Sequence, residues 1–208
     1  PTPTPTPTPA PTQPSIYDHN TELGGLSVGN FDFHFDSCRI LVWVWVKFQF
    51  ESSIPAADQA TFKTMFFNAI ENKWGHSGYA LTGNSSCLCS NVPIVIHAAE
   101  STTSFYHKLV DVELGARRES VISDMNLSMA TTSDTVAHEF GHVLGLYDEY
   151  DGGFWENRMF WHDNHHQADT SAIMNSGSEL RERYFQHYRD RVQEGGAPGC
   201  VYSVTSPP

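Results

Sequence analysis

The chain has 208 residues, of which 39% are hydrophobic and 12% aromatic, enough for one globular domain with its own core. A formal net charge of −12 speaks against nucleic acid or an anionic membrane surface as the main partner. No apolar run approaches the roughly eighteen residues of a membrane span.

Residues 1–14, PTPTPTPTPAPTQP, alternate proline with threonine and bury nothing. They read as an extended Pro/Thr-rich linker tethering the module of residues 15–208 to another module. The opening on Pro1 instead of methionine suggests a fragment or a processed product. Residues 15–36 are polar and glycine-rich, and His34 among them reads as a packed or exposed side chain. Residues 39–50, RILVWVWVKFQF, are β-branched and aromatic throughout and predict a strand buried on both faces. After Ser52–Pro55 breaks the chain, Phe62, Met65, Phe66, Ala69 and Ile70 recur at helical spacing and predict a helix over 57–74.

Residues 75–83 read as loop. Residues 92–98 and 104–113 predict two more strands, with Pro93 placing the first at an edge or a strand start. His97 and His107 fall in these strand patterns and read as structural histidines. A charged turn at 115–119 leads to a fourth strand over 121–129. Cys38, Cys87, Cys89 and Cys200 make an even set, which suits disulfides in an oxidising compartment. Three pairings are open, and Cys87–Cys89 is the least attractive because its ring would be very tight.

The chemistry concentrates in residues 135–150, TVAHEFGHVLGLYDEY. His138 and His142 are four apart, so on a helix both imidazoles leave one face and can hold a single Zn²⁺. Glu139 lies beside that face, where a carboxylate can take a proton from an activated water. Thr132 or Ser133 is placed to cap the helix. A catalytic zinc needs a third protein ligand. Glu149 would share the histidine face on a straight helix, but eleven residues rise roughly 16 Å, too far for a common metal. Gly145 accepts the left-handed conformation that ends a helix, and Asp148 follows three residues later. Asp148, Glu149, His162 and His165 are the candidate third ligands, with Asp148 preferred.

H-E-x-x-H-x-x-G-x-x-D resembles the metzincin metallopeptidases, in the variant where aspartate replaces the third histidine. Ser171-Ala172-Ile173-Met174-Asn175 is similar to the family's methionine turn, and LYDEY after HEFGH is similar to bacterial IgA-peptidase-like enzymes. The resemblance covers about residues 129–183. It implies an α/β (α+β) metzincin-like domain: a twisted mixed sheet, an active-site helix and a C-terminal helix, here expected over 178–193 with its arginine-rich face solvated. It also implies zinc on His138, His142 and Asp148, Glu139 as general base, Met174 packed beneath the metal, and the 121–129 strand as the edge that pairs with substrate. Asn175 and Ser176 stand where several metzincins carry an oxyanion-holding tyrosine, so that task falls open to Tyr147, Tyr150 or Tyr184.

The resulting expectation is a secreted or periplasmic zinc endopeptidase acting on protein or peptide substrates. Two rivals share these residues. One is a protease effector carried as C-terminal cargo of a secretion apparatus. The other is a non-catalytic zinc-binding module, against which the intact Glu139 argues. Residues 151–168, rich in aromatics and histidine, read as a loop, either a wall or lid over the site or a packed connection to the methionine turn.

Overall fold

The computed structural model describes residues 16–21, 30–116, 119–120, 124–150 and 166–207. The expected linker, His162, His165 and most of the 151–168 loop lie outside these residues. An eight-stranded mixed sheet and three α-helices make an α+β fold. No described helix is long and apolar enough to cross a membrane.

The central strand β3 (Arg39–Phe50) occupies the predicted residues. Ile40, Val42, Val44 and Val46 are buried on one face, but the opposite face is only half-buried, contrary to the expectation of two buried faces. Large apolar residues stand at both parities, so the run reads as continuous in sequence. On the second face Trp43 stacks on Trp45 at 5.6 Å and lies against His97 at 4.8 Å.

Two strands precede β3 where no strand was expected. β1 (Ile16–Thr21) and β2 (Phe31–Asp36) pair antiparallel, and β2 pairs with β3 through a two-residue turn. Ser37 and Cys38 form that turn with φ of 46° and 60°, the twist that suits a tight hairpin. Serine and cysteine are uncommon at such positions, which is why the hairpin was not legible.

Helix α1 (Ala56–Ile70) lays Phe62, Phe66, Ala69 and Ile70 against the sheet. The predicted helix then changes pitch over Glu71–Gly75, a π turn that drives Trp74 fully into the core. The expected loop after it contains β4 (Ala80–Gly83), which pairs antiparallel with both β5 (Asn91–Glu100) and the C-terminal β8 (Tyr202–Thr205). β5 runs parallel to β3.

β6 (Lys108–Glu113) runs parallel to β3 beyond the end of β2. His107 fills the gap between these partners. Its Nδ1 accepts from Trp45 N at 2.9 Å, so the ring proton sits on Nε2, 3.2 Å from Asp32 Oδ1. His97 faces Glu71 Oε2 at 3.1 Å, and His34 lies edge-on to Tyr17.

β7 (Met125–Ser128) runs parallel to β6 and leads into α2 (Ser133–Val143). Its outer side is occupied at Asn126, where Ser120 exchanges both backbone hydrogen bonds in an antiparallel bridge. The strand expected to present an edge to substrate is therefore covered there by the segment just before it.

The C-terminal helix is shorter and later than expected. A 3₁₀ turn over Glu182–Phe185 precedes α3 (Gln186–Glu194). Its arginines are not merely solvated: Arg191 makes a two-pronged pair with Asp18 at 2.6 and 2.8 Å, tying α3 to β1. Disulfides join Cys38 to Cys89 and Cys87 to Cys200, pinning the β2–β3 turn and the C-terminal segment to the loop before β5. Two disulfides fit an oxidising compartment.

Candidate metal centre

The Thr132 hydroxyl caps α2 by accepting from Thr135 N at 3.2 Å. Four residues apart, His138 and His142 leave the helix on one face, with ring centroids 5.1 Å apart and planes nearly perpendicular. Glu139, between them in sequence, is 8% exposed.

The helix ends as the glycine suggested. Gly145 adopts φ of 88°. Its N–H donates to His142 O at 2.9 Å, while Leu146 N–H donates back to Gly141 O at 3.1 Å. This pair of bonds satisfies the last carbonyls and reverses the chain. Asp148 returns so that its Oδ1 lies 3.1 Å from His138 Nε2 and 3.2 Å from His142 Nε2. One ligand atom from each of the three residues falls within 4.8 Å of the others.

The far side of each ring decides what this cluster can bind. His138 Nδ1 faces Ile173 O at 2.6 Å, and His142 Nδ1 faces Leu146 O at 2.8 Å. A nitrogen facing a carbonyl must carry the proton, which leaves Nε2 of each neutral ring as a lone pair. Two lone pairs and a carboxylate oxygen thus converge on one point, a mutually repulsive arrangement unless a cation lies among them. Either a proton or a metal ion meets that need, and the two-imidazole, one-carboxylate donor set suits zinc.

Burial works against charge on His138, yet the Asp148 carboxylate and the Ile173 carbonyl outweigh it and raise the imidazole above its ordinary value. Burial would likewise raise Asp148, but the two imidazoles beside it, which donate to it and carry positive charge when also protonated on Nε2, hold it well below the usual carboxylate range. Burial lifts Glu139, with the two histidines pulling partly the other way.

Met174 is fully buried and packs its thioether against α2 at Gly141. Trp74 joins this support, its indole N–H donating to Ala137 O at 2.9 Å. The turn carrying Met174 also presents Ile173 O to His138. Asn175 Nδ2 donates to Glu149 O and Gln167 O at 3.2 and 3.0 Å, so that side chain braces the turn.

Glu149 points away from His138, His142 and Asp148, into a two-pronged pair with Arg183. Tyr184 is also turned from the site: its hydroxyl donates to Glu149 Oε2 at 3.0 Å and accepts from Met174 N at 3.4 Å. Of the other two tyrosines, Tyr150 has its ring centroid 6.3 Å from that of His138. Sequence reasoning missed the two carbonyls behind the histidines and did not single out Arg183 as the partner of Glu149. Backbone acceptors carry no residue signature, and Arg183 is one of several arginines in its segment.

No family model, curated protein or solved structure matches this chain.

Proposed function

We propose that this chain is a zinc-dependent endopeptidase of metzincin type. The observation that carries the reading is the convergence of His138 Nε2, His142 Nε2 and an Asp148 oxygen, with both histidine Nδ1 atoms bonded to carbonyls behind them. Zinc bound there would polarise a scissile carbonyl and make water a competent nucleophile near neutral pH.

The chain's own residues supply the rest. Glu139, one residue from a ligand and nearly buried, accepts the proton of the attacking water and passes it to the departing amine. Met174 supports the floor of the site as packing, with its sulfur against Gly141. Tyr184 is committed to Glu149, and Tyr150 flanks His138, so we assign to the Tyr150 hydroxyl the steadying of the carbonyl oxygen as charge builds on it. The two disulfides support a secreted or periplasmic place of action.

Metal analysis and proteolysis of an unstructured protein test this reading together. Wild-type protein is expected to carry one zinc and to cleave casein. Glu139→Gln is expected to keep the zinc and lose about 10²–10⁴-fold in rate, the usual contribution of a general base. A Glu139→Gln protein that cleaves at the wild-type rate overturns the assignment, and a zinc-bearing wild type with no hydrolytic activity favours the binding-module rival.

A further inference from the structure

The third ligand is short and sits on a segment, residues 146–150, that belongs to neither helix nor strand. An aspartate has one methylene with which to adjust, so its carboxylate goes where its backbone goes. Zinc sites tolerate only about 0.2 Å in ligand distance. Something must therefore hold the backbone beside Asp148, and the neighbouring residue is bonded at every polar atom.

Glu149 N–H donates to Met174 O at 2.7 Å, and Glu149 O accepts from Asn175 Nδ2 at 3.2 Å. Its carboxylate takes Arg183 Nε on Oε1 at 2.7 Å and Arg183 Nη2 on Oε2 at 2.6 Å. The Tyr184 hydroxyl adds a third donor on Oε2 at 3.0 Å and accepts from Met174 N. Arg183 is fixed in turn by Asp169 at 2.8 Å, which Arg181 grips with two bonds of 2.7 Å. The Glu149 side chain is 10% exposed and that of Arg183 21%, so the fork is sheltered from solvent screening.

These bonds end on the turn that also orients His138, through Ile173 O. The first and third ligands are thus referenced to one piece of backbone, although they come from different segments. We infer that Glu149, Arg183 and Tyr184 form a latch that positions Asp148 and sets how tightly the centre holds its metal. This rests on the proposed zinc site. They are positioning residues: none of the three faces the ligand atoms, and each acts through the backbone of Asp148 or the turn beneath it.

The test is zinc affinity by chelator competition, with the unfolding midpoint recorded with and without zinc. Glu149→Gln and Arg183→Met are each expected to weaken zinc binding about 10–100-fold, the usual effect of losing a partner behind a ligand. Their double variant is expected to be no weaker than either single one, since both remove the same interaction. Arg183→Lys keeps the charge without the fork and is expected to fall between Arg183→Met and wild type. Tyr184→Phe is expected to lose a few-fold in affinity, and it carries the test with Glu149→Gln should Arg183→Met fail to fold.

A merely structural role would lower the midpoint and leave zinc affinity alone. Arg191→Met provides that comparison, because it breaks an equally well-formed pair, with Asp18, that includes none of the ligands or latch residues. Latch variants that bind zinc as wild type does, while His138→Ala abolishes binding, overturn the latch and leave the metal site standing. A wild-type protein that takes up no zinc overturns both.

Discussion

The sulfur of Met174 lies against the backbone of Gly141, so closely that a β-carbon on residue 141 would collide with it and also crowd Trp74. The glycine of HEFGH is thus a contact surface between the helix that carries the histidines and the turn beneath them. Gly141→Ala is expected to destabilise the fold by about 1–3 kcal/mol, the range for forced overpacking, and to weaken zinc binding as His142 shifts. Met174→Leu, of similar volume, is expected to cost less than about 1.5 kcal/mol. Urea unfolding of both variants checks the pair, and a Gly141→Ala protein as stable as wild type would show that the contact is not close.

Asp148 and Glu149 are adjacent and acidic but differ in role. Asp148→Ala is expected to abolish stoichiometric zinc binding, because the site keeps only two protein ligands. Glu149→Gln is expected to retain a weaker site. His97→Ala, which loses a hydrogen bond to Glu71 on another part of the surface, is expected to bind zinc as wild type does. Metal content after dialysis separates the three, and retention of zinc by Asp148→Ala would remove aspartate from the ligand set.

The charge arrangement at the site predicts opposite pH trends for metal-free and zinc-bound protein. In the metal-free state the His138 imidazole is raised, so its stabilising contribution is complete below about 6.5 and is lost as pH rises through the folded value. Asp148 is depressed, so its contribution is present above about 3.9 and is lost as pH falls through the folded value. Metal-free protein is therefore expected to be steadied by this pair between those limits. Zinc needs the ligands deprotonated, so its affinity is expected to fall with falling pH and its uptake near pH ~6.5 to release a proton. Calorimetry in two buffers of different ionisation enthalpy measures that proton directly. Uptake without proton release would mean that His138 is already bare.

Cys38–Cys89 and Cys87–Cys200 span sequence separations of 51 and 113 residues. Closing loops of that length removes denatured-state entropy worth on the order of 4 kcal/mol each. Protein exported by its native host is expected to show no free thiol, and reduction is expected to lower the unfolding midpoint sharply. Cys87→Ser with Cys200→Ser releases the segment leading to β8 and is expected to loosen that edge of the sheet before the metal site. Hydrogen exchange at Tyr202–Thr205 and Ala80–Gly83 reads this, and unchanged protection there would place the stabilisation elsewhere.

Sequence alone determined the parts whose cause is local. Four-residue spacing placed His138 and His142 on one helix face, and a glycine at 145 reversed the chain so that Asp148 came back to them. The near-continuous run of β-branched and aromatic residues located β3, the strand expected over 92–98 falls within β5, and Thr132 marked the start of α2. Tertiary structure decided everything that depends on a distant partner. The short strands β4 and β8 become strands by pairing with each other across more than a hundred residues of chain, with β4 also paired to β5 on its other side. The cysteine pairing follows from where the β2–β3 turn and the C-terminal segment come to rest. The Ile173 carbonyl behind His138 and the Arg183 fork behind Glu149 depend on a backbone position and a side-chain direction set by packing. Spacing along a helix is a property of bond geometry, which any short peptide carries. Which carbonyl or guanidinium meets it is a property of the folded whole.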